Sequence, residues 1–202
     1  AGGGVYHPVY DSFDWYTRFS DTTFEYGRAL SQTTGTAVMR LAGASVLPFS
    51  FIESVETVSG YLDEIEETHR DIADAPTLDF TGMRSAIEAY RAAAQRYESA
   101  VQAAAGRGGG SMAVMQKANA ILYKTERALG YDKGLPERDW YKHQIYAPGL
   151  DTGYGVKTIP GVREGIERNN WDEARTMIEV VQAALVRIAQ QVESAAVTLE
   201  TM

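Results

Sequence analysis

Two stretches of the chain, residues 80–104 and 171–199, place apolar side chains at alternating three- and four-residue intervals. A repeat of that period presents one continuous face only when wound as an α-helix. In the first stretch Phe80, Met83, Ile87, Tyr90, Ala94, Tyr97, Val101 and Ala104 share a face, and Arg84, Glu88, Arg91, Arg96 and Glu98 point elsewhere. In the second, Ala174, Ile178, Val181, Leu185, Ile188, Val192, Ala195 and Leu199 form the stripe, while Val180, Ala183 and Val197 add apolar surface on a second flank. A face that wide predicts contact with two neighbours.

Three further segments carry the same period. Phe51, Val55, Val58, Leu62, Ile65, His69 and Ile72 form one stripe, with Asp63, Glu64, Glu66 and Glu67 as its solvated side and Ser50 with Glu53 as a capping box. A segment over about 22–45 carries Tyr26, Leu30, Ala37, Leu41 and Ala44, with Ser20 or Asp21 as its cap. Another, over about 111–129, carries Met115, Ala118, Leu122, Thr125 and Leu129 and stops at Gly130. Pro48, Pro76 and the glycine-rich run at 106–110 separate these pieces. Residues 130–165 hold Pro136, Pro148, Pro160 and several aromatics without a sustained period, which predicts an ordered loop of functional or interface use. The expected fold is therefore all-α: an up-and-down bundle of four main long helices plus short ones, with a long ordered loop around 130–165.

A chain of 202 residues with 45% hydrophobic and 23% charged residues sustains one core. Its net charge of −8 repels a phosphate backbone, so nucleic acid is not an expected partner. No apolar run is long enough to span a bilayer, so no membrane contact is expected from this segment. The start Ala-Gly-Gly-Gly without Met predicts a piece of something longer. With no cysteine, disulfides and thiolate metal sites are excluded.

Metal or nucleophilic chemistry must draw on three histidines. His69 lies on an apolar stripe and reads as a core or rim histidine. His143 follows Trp140 and Tyr141 and reads as structural or supporting rather than as a ligand. His7, within Val-Tyr-His-Pro-Val-Tyr-Asp, reads in isolation as a loop histidine. The glycine run lacks the preceding strand and the Lys-Ser/Thr of a phosphate loop, and the acidic run lacks the spacing of a calcium loop. No nucleophile, base and orienter can be assembled, so the chain alone is not expected to be a complete enzyme.

Three blocks carry a resemblance. Val5 to Ser12, with Phe24, Tyr26 and Val46-Leu47-Pro48-Phe49, resembles the segment joining the protease and helical domains of the glutamate carboxypeptidase II and transferrin receptor family. Glu126-Arg127-Ala128 with Gly134-Leu135-Pro136-Glu137-Arg138, and His143 to Pro148 with Tyr154 and Ile159-Pro160-Gly161, resemble its signature loop. The likeness runs from about Val5 to Leu199. It implies a linking segment over 1–19 and a helical dimerisation domain over 20–202. It also implies a dinuclear zinc centre in a protease domain upstream of Ala1, of which His7 is the last ligand. Without that domain no cofactor and no activity are expected in this chain.

The resemblance further places Tyr6 and Tyr154 in the pocket for a peptide's terminal carboxylate, where phenols can donate hydrogen bonds. Aromatic packing is the alternative for both. Gly153 stands where glutamate carboxypeptidase II has a lysine that grips a glutamate side chain, which puts strict glutamate preference in doubt. Lys157 is a possible substitute or, alternatively, a solvated surface lysine. The expected partners are a second copy of the chain, the upstream protease domain and a small peptide, in a parent zinc carboxypeptidase outside the cytoplasm. Transferrin receptor keeps the helical domain without peptidase chemistry, so a non-catalytic, receptor-like binding domain is the alternative; His7 argues for the peptidase branch.

Overall fold

The computed structural model describes residues 8–106 and 111–201, with Tyr154 described by its backbone alone. The chain forms two compact units, residues 1–44 and 45–202.

In the first unit, the short helix α1 (Phe13–Trp15) opens on Ser12, whose hydroxyl accepts from the Trp15 amide, and runs into a π-helical turn, Tyr16–Ser20. Helix α2 follows at Glu25–Ala42. It starts later than its apolar pattern predicts, because Phe24 takes a left-handed conformation with φ of 58°. Asp21 still serves as a cap: its buried carboxylate accepts from the Gly27 amide at 2.8 Å and from the Tyr16 hydroxyl at 3.1 Å. None of the residues of α2 is buried, and Tyr26, Leu30 and Leu41 are exposed. The periodicity correctly forecasts a helix here, but its apolar face has no cover among the described residues.

The second unit holds the core. Helix α3 (Phe51–Arg70) packs on α4 (Thr81–Gly106), and α4 forms the main seam with α7 (Trp171–Glu200). Helices α5 (Met112–Leu122) and α6 (Pro160–Glu167) lie against α7. Every stripe residue named for α7, and every one for α4 except half-buried Val101, is buried. Tyr90 and Tyr97 are the largest fully buried side chains, and the Phe51 ring meets Tyr97 edge-on at 5.1 Å. On the second flank of α7, Val180 is half-buried and Ala183 and Val197 are exposed.

Three local expectations change. Ser50 occupies the N-cap position of α3 in extended conformation, but its side chain makes no capping bond; burial of Phe51 anchors that end instead. The helix expected over 111–129 breaks after Leu122 and resumes as a 3-10 turn, Thr125–Leu129. The Thr125 hydroxyl donates to the Leu122 carbonyl at 2.8 Å, a local bond that competes with helix continuation. The loop at 130–165 contains an antiparallel hairpin, β1 (Tyr146–Gly149) with β2 (Gly153–Thr158), pairing Tyr146 with Thr158, Ala147 with Lys157 and Pro148 with Val156. Four residues that include Pro148 and Gly149 show too little alternation to reveal a strand. The architecture remains predominantly helical.

The acidic run on α3 finds partners across helices. Asp63 and Glu66 pair with Arg84 of α4 at 2.6 and 2.9 Å, and Glu64 pairs with Arg163 of α6 at 2.8 Å. Such exposed pairs set helix register more than they add stability.

Candidate functional site

The chain between the 3-10 turn and α7 builds a platform for the hairpin. Tyr131 to Gly134 form a turn, with Gly134 at φ +75°. A Cβ on Gly134 would lie 2.3 Å from the Asp139 carbonyl oxygen, so glycine alone fits. The turn sends Leu135 back to bond Tyr141 and sets Arg138 under the hairpin. There the Arg138 guanidinium donates to the Pro148 carbonyl and to one carboxylate oxygen of Glu164 on α6. The other Glu164 oxygen accepts from the Leu150 amide at 2.8 Å. Both side chains are buried, and the Arg138 Nε has no hydrogen-bond partner among the described residues.

A second pair holds the same tip from outside. Arg168 bonds both Asp151 oxygens at 2.9 and 3.0 Å and also reaches Glu137. The hydrogen bond from Arg168 holds the Asp151 carboxyl below the usual aspartate range. Gly153, next along, has φ +61° with open space where a Cβ would project. Tyr154 follows on β2. Lys157 donates to both oxygens of Glu167 at 2.7 Å, so it is engaged within the fold. Beside the tip is a cavity of about 450 Å³, walled by Arg138, Trp140, Tyr141, Pro148, Gly149, Leu150 and Gly153.

At the other end of the hairpin, Tyr146 borders a second cavity of about 540 Å³ together with Phe51, Tyr61, Tyr90 and Glu126. The Tyr146 hydroxyl donates to Glu126 at 2.6 Å, which pushes the phenol up to about 12. His143 lies against the Tyr146 ring at 4.2 Å, and its Nδ1 accepts from the Ile145 and Tyr146 amides at 3.3 and 3.4 Å. The ring proton therefore sits on Nε2, 3.4 Å from Glu126; this is an electrostatic contact without the alignment of a hydrogen bond. Burial lowers the His143 pKa, against the pull of Glu126. His69 bonds the Pro76 carbonyl at 2.9 Å and meets Phe80 and Trp171 edge-on, a rim position on the helical stripe.

Tyr6 and His7 lie outside the described residues. Among the described residues no three His, Asp or Glu side chains are grouped as a metal site. A zinc centre needs three or four donors, so His7 could serve only alongside ligands from elsewhere. The Arg138–Glu164 and Arg168–Asp151 clamps leave no local signature in the sequence, because their partners are 26 and 17 residues apart.

A family model described as the transferrin receptor-like dimerisation domain matches residues 78–193, the approach to α4 through most of α7. The chain belongs to this family. Among curated relatives of this dimerisation domain, a probable glutamate carboxypeptidase of Arabidopsis thaliana (LAMP1) is 29% identical over 98% of the chain and 28% of its own length. A probable glutamate carboxypeptidase of Arthroderma benhamiae is 31% identical over 89% of the chain and 24% of its own length. The aminopeptidase NAALADL1 of Rattus norvegicus is 25% identical over 97% of the chain and 26% of its own length. The chain thus spans about a quarter of the curated relatives it matches. No helix among the described residues is long and apolar enough to cross a membrane.

Proposed function

We propose that this domain joins two copies of a zinc-dependent exopeptidase and completes its substrate pocket. In this reading Tyr154 and Tyr6 donate hydrogen bonds to the terminal carboxylate of a small peptide. His7 would give its imidazole to the metal, whose other ligands would come from a protease domain outside this chain. Zinc would supply a polarised carbonyl and an activated water. The chain's own residues orient the peptide by hydrogen bonds.

The observation that supports the pocket is the double clamp. A tip of Pro148, Gly149, Leu150 and Asp151 is held from below by Arg138 and Glu164 and from outside by Arg168. Fixing a loop so firmly is what a site that must hold a substrate in one geometry requires. The apolar surface left on α2 and on the outer flank of α7 is available to the protease domain and to a second copy.

In the full-length protein, Tyr154→Phe is expected to raise KM for small peptides at least tenfold with a smaller effect on kcat, and His7→Ala to abolish zinc-dependent turnover. The isolated chain with added zinc is expected to be inactive, and to show by light scattering a mass twice its 22.2 kDa. Turnover by the isolated chain that persists after His7→Ala would refute the assignment of the metal.

A further inference from the structure

The hairpin tip has a charge distribution that bears on which peptides it can accept. Four cations lie along the hairpin, and each is already committed to carboxylates. Arg138 is paired with buried Glu164, Lys157 with Glu167, Arg163 with Glu64, and Arg168 with Asp151 and Glu137. The cavity beside Gly153 is walled mainly by Trp140, Tyr141, Pro148 and Leu150. Its one charged wall, Arg138, is paired with Glu164, and its Nε, without a partner among the described residues, is a buried atom, so it offers an entering group no compensating charge. A carboxylate entering this space would shed its hydration and meet no free cation among these residues, whereas an apolar side chain would gain contact with the Trp140 and Tyr141 rings. At about 450 Å³ the cavity has the size of small-ligand pockets in general.

Resting on the reading that Tyr154 holds the peptide's terminal carboxylate, we infer that the neighbouring cavity takes the terminal side chain and that this side chain is apolar. The full-length protein then favours peptides ending in leucine, methionine or phenylalanine over peptides ending in glutamate. Gly153 keeps the approach open, since its missing Cβ faces free space. Trp140, 71% exposed in this chain, supplies the wall that an incoming side chain covers.

The test uses the full-length protein and N-acetylated dipeptides that differ only in the last residue, followed by turnover and by calorimetric binding. A kcat/KM at least tenfold higher for leucine or phenylalanine than for glutamate is expected. Trp140→Ala should raise KM for the apolar peptides about tenfold and narrow the preference over the glutamate peptide accordingly. Gly153→Lys should reverse the preference, and Gly153→Asn, which tolerates the same backbone conformation without a charge, should not. Equal or better use of the glutamate peptide by the unmodified protein overturns the inference and leaves the peptidase reading intact. Binding of the apolar peptides without turnover, weakened by Trp140→Ala, would sink the catalytic reading and sustain the inference. Neither binding nor turnover of any of these peptides would end both.

Discussion

Arg138 and Glu164, 26 residues apart, form an ion pair in which both residues are more than nine-tenths buried, and each also holds one backbone group of the same hairpin turn. A buried pair of this kind stabilises little relative to an apolar replacement, but loss of one partner strands a charge. Arg138→Met or Glu164→Gln should therefore destabilise the domain, with about 3–5 kcal/mol expected for the arginine, where a buried carboxylate is left alone. The double replacement Arg138→Met with Glu164→Leu should recover much of that loss. A denaturant double-mutant cycle measures it, and additive single effects would show that the two side chains act independently.

The two left-handed glycines of this region should respond differently to a methyl group. At Gly134 an added Cβ meets the Asp139 backbone at 2.3 Å, so Gly134→Ala should cost more than about 2 kcal/mol, above the left-handed penalty itself. At Gly153 the space is open, and Gly153→Ala should cost only about 1 kcal/mol, the conformational term alone. Equal shifts in the urea midpoint would contradict the packing of the 131–139 turn.

His143 gives the domain an acid limit. Burial holds its folded-state pKa below the usual 6.5, and Nδ1 accepts two amides only while unprotonated. In a depressed histidine the neutral form is the folded form, so the contribution is complete above about pH 6.5. It is lost as pH falls below that value, because the unfolded chain takes up the proton first. Thermal unfolding followed from pH 8 to pH 5 should show a declining midpoint below about 6.5. His143→Gln should flatten the decline in that window, and an unchanged slope would count against the burial argument.

Much of the core was legible because α4 and α7 repeat a single physical requirement many times. Each turn must offer Ile, Leu, Val, Ala or Tyr to the same side, and every stripe position named for α7 is buried. The hairpin was not legible for the opposite reason. Its strands are short, one contains Pro148, and the groups that hold it are distant in sequence: Arg138 on the Pro148 carbonyl, Glu164 on the Leu150 amide and Arg168 on the Asp151 carboxylate. Exposure was also invisible in places: α2 has the periodicity of a core helix, yet Tyr26 and Leu30 lie in the open, since a pattern shows which face is apolar and not what covers it. Capping showed the same limit, with Asp21 reaching the third amide of α2 from outside the helix while Ser50, in the expected place on α3, makes no capping bond.

The two flanks of α7 separate folding from assembly. Leu185 is fully buried among the helices, whereas Val186 and Val197 are 37% and 43% exposed, on the same outward side as Ala183. Leu185→Ala should remove buried contacts and leave a cavity, at a cost of about 2–5 kcal/mol in the unfolding free energy. Val186→Asp and Val197→Asp change surface positions, and each should shift unfolding of the dissociated chain by less than about 0.5 kcal/mol. If this flank meets a second copy, the same aspartates bury unpaired charge in an apolar contact and oppose association. Sedimentation of the Val186→Asp, Val197→Asp double variant should then report monomer at concentrations where the unmodified chain is a dimer, with circular dichroism unchanged. A double variant that remains dimeric and fully helical would move the self-association surface away from this side of α7.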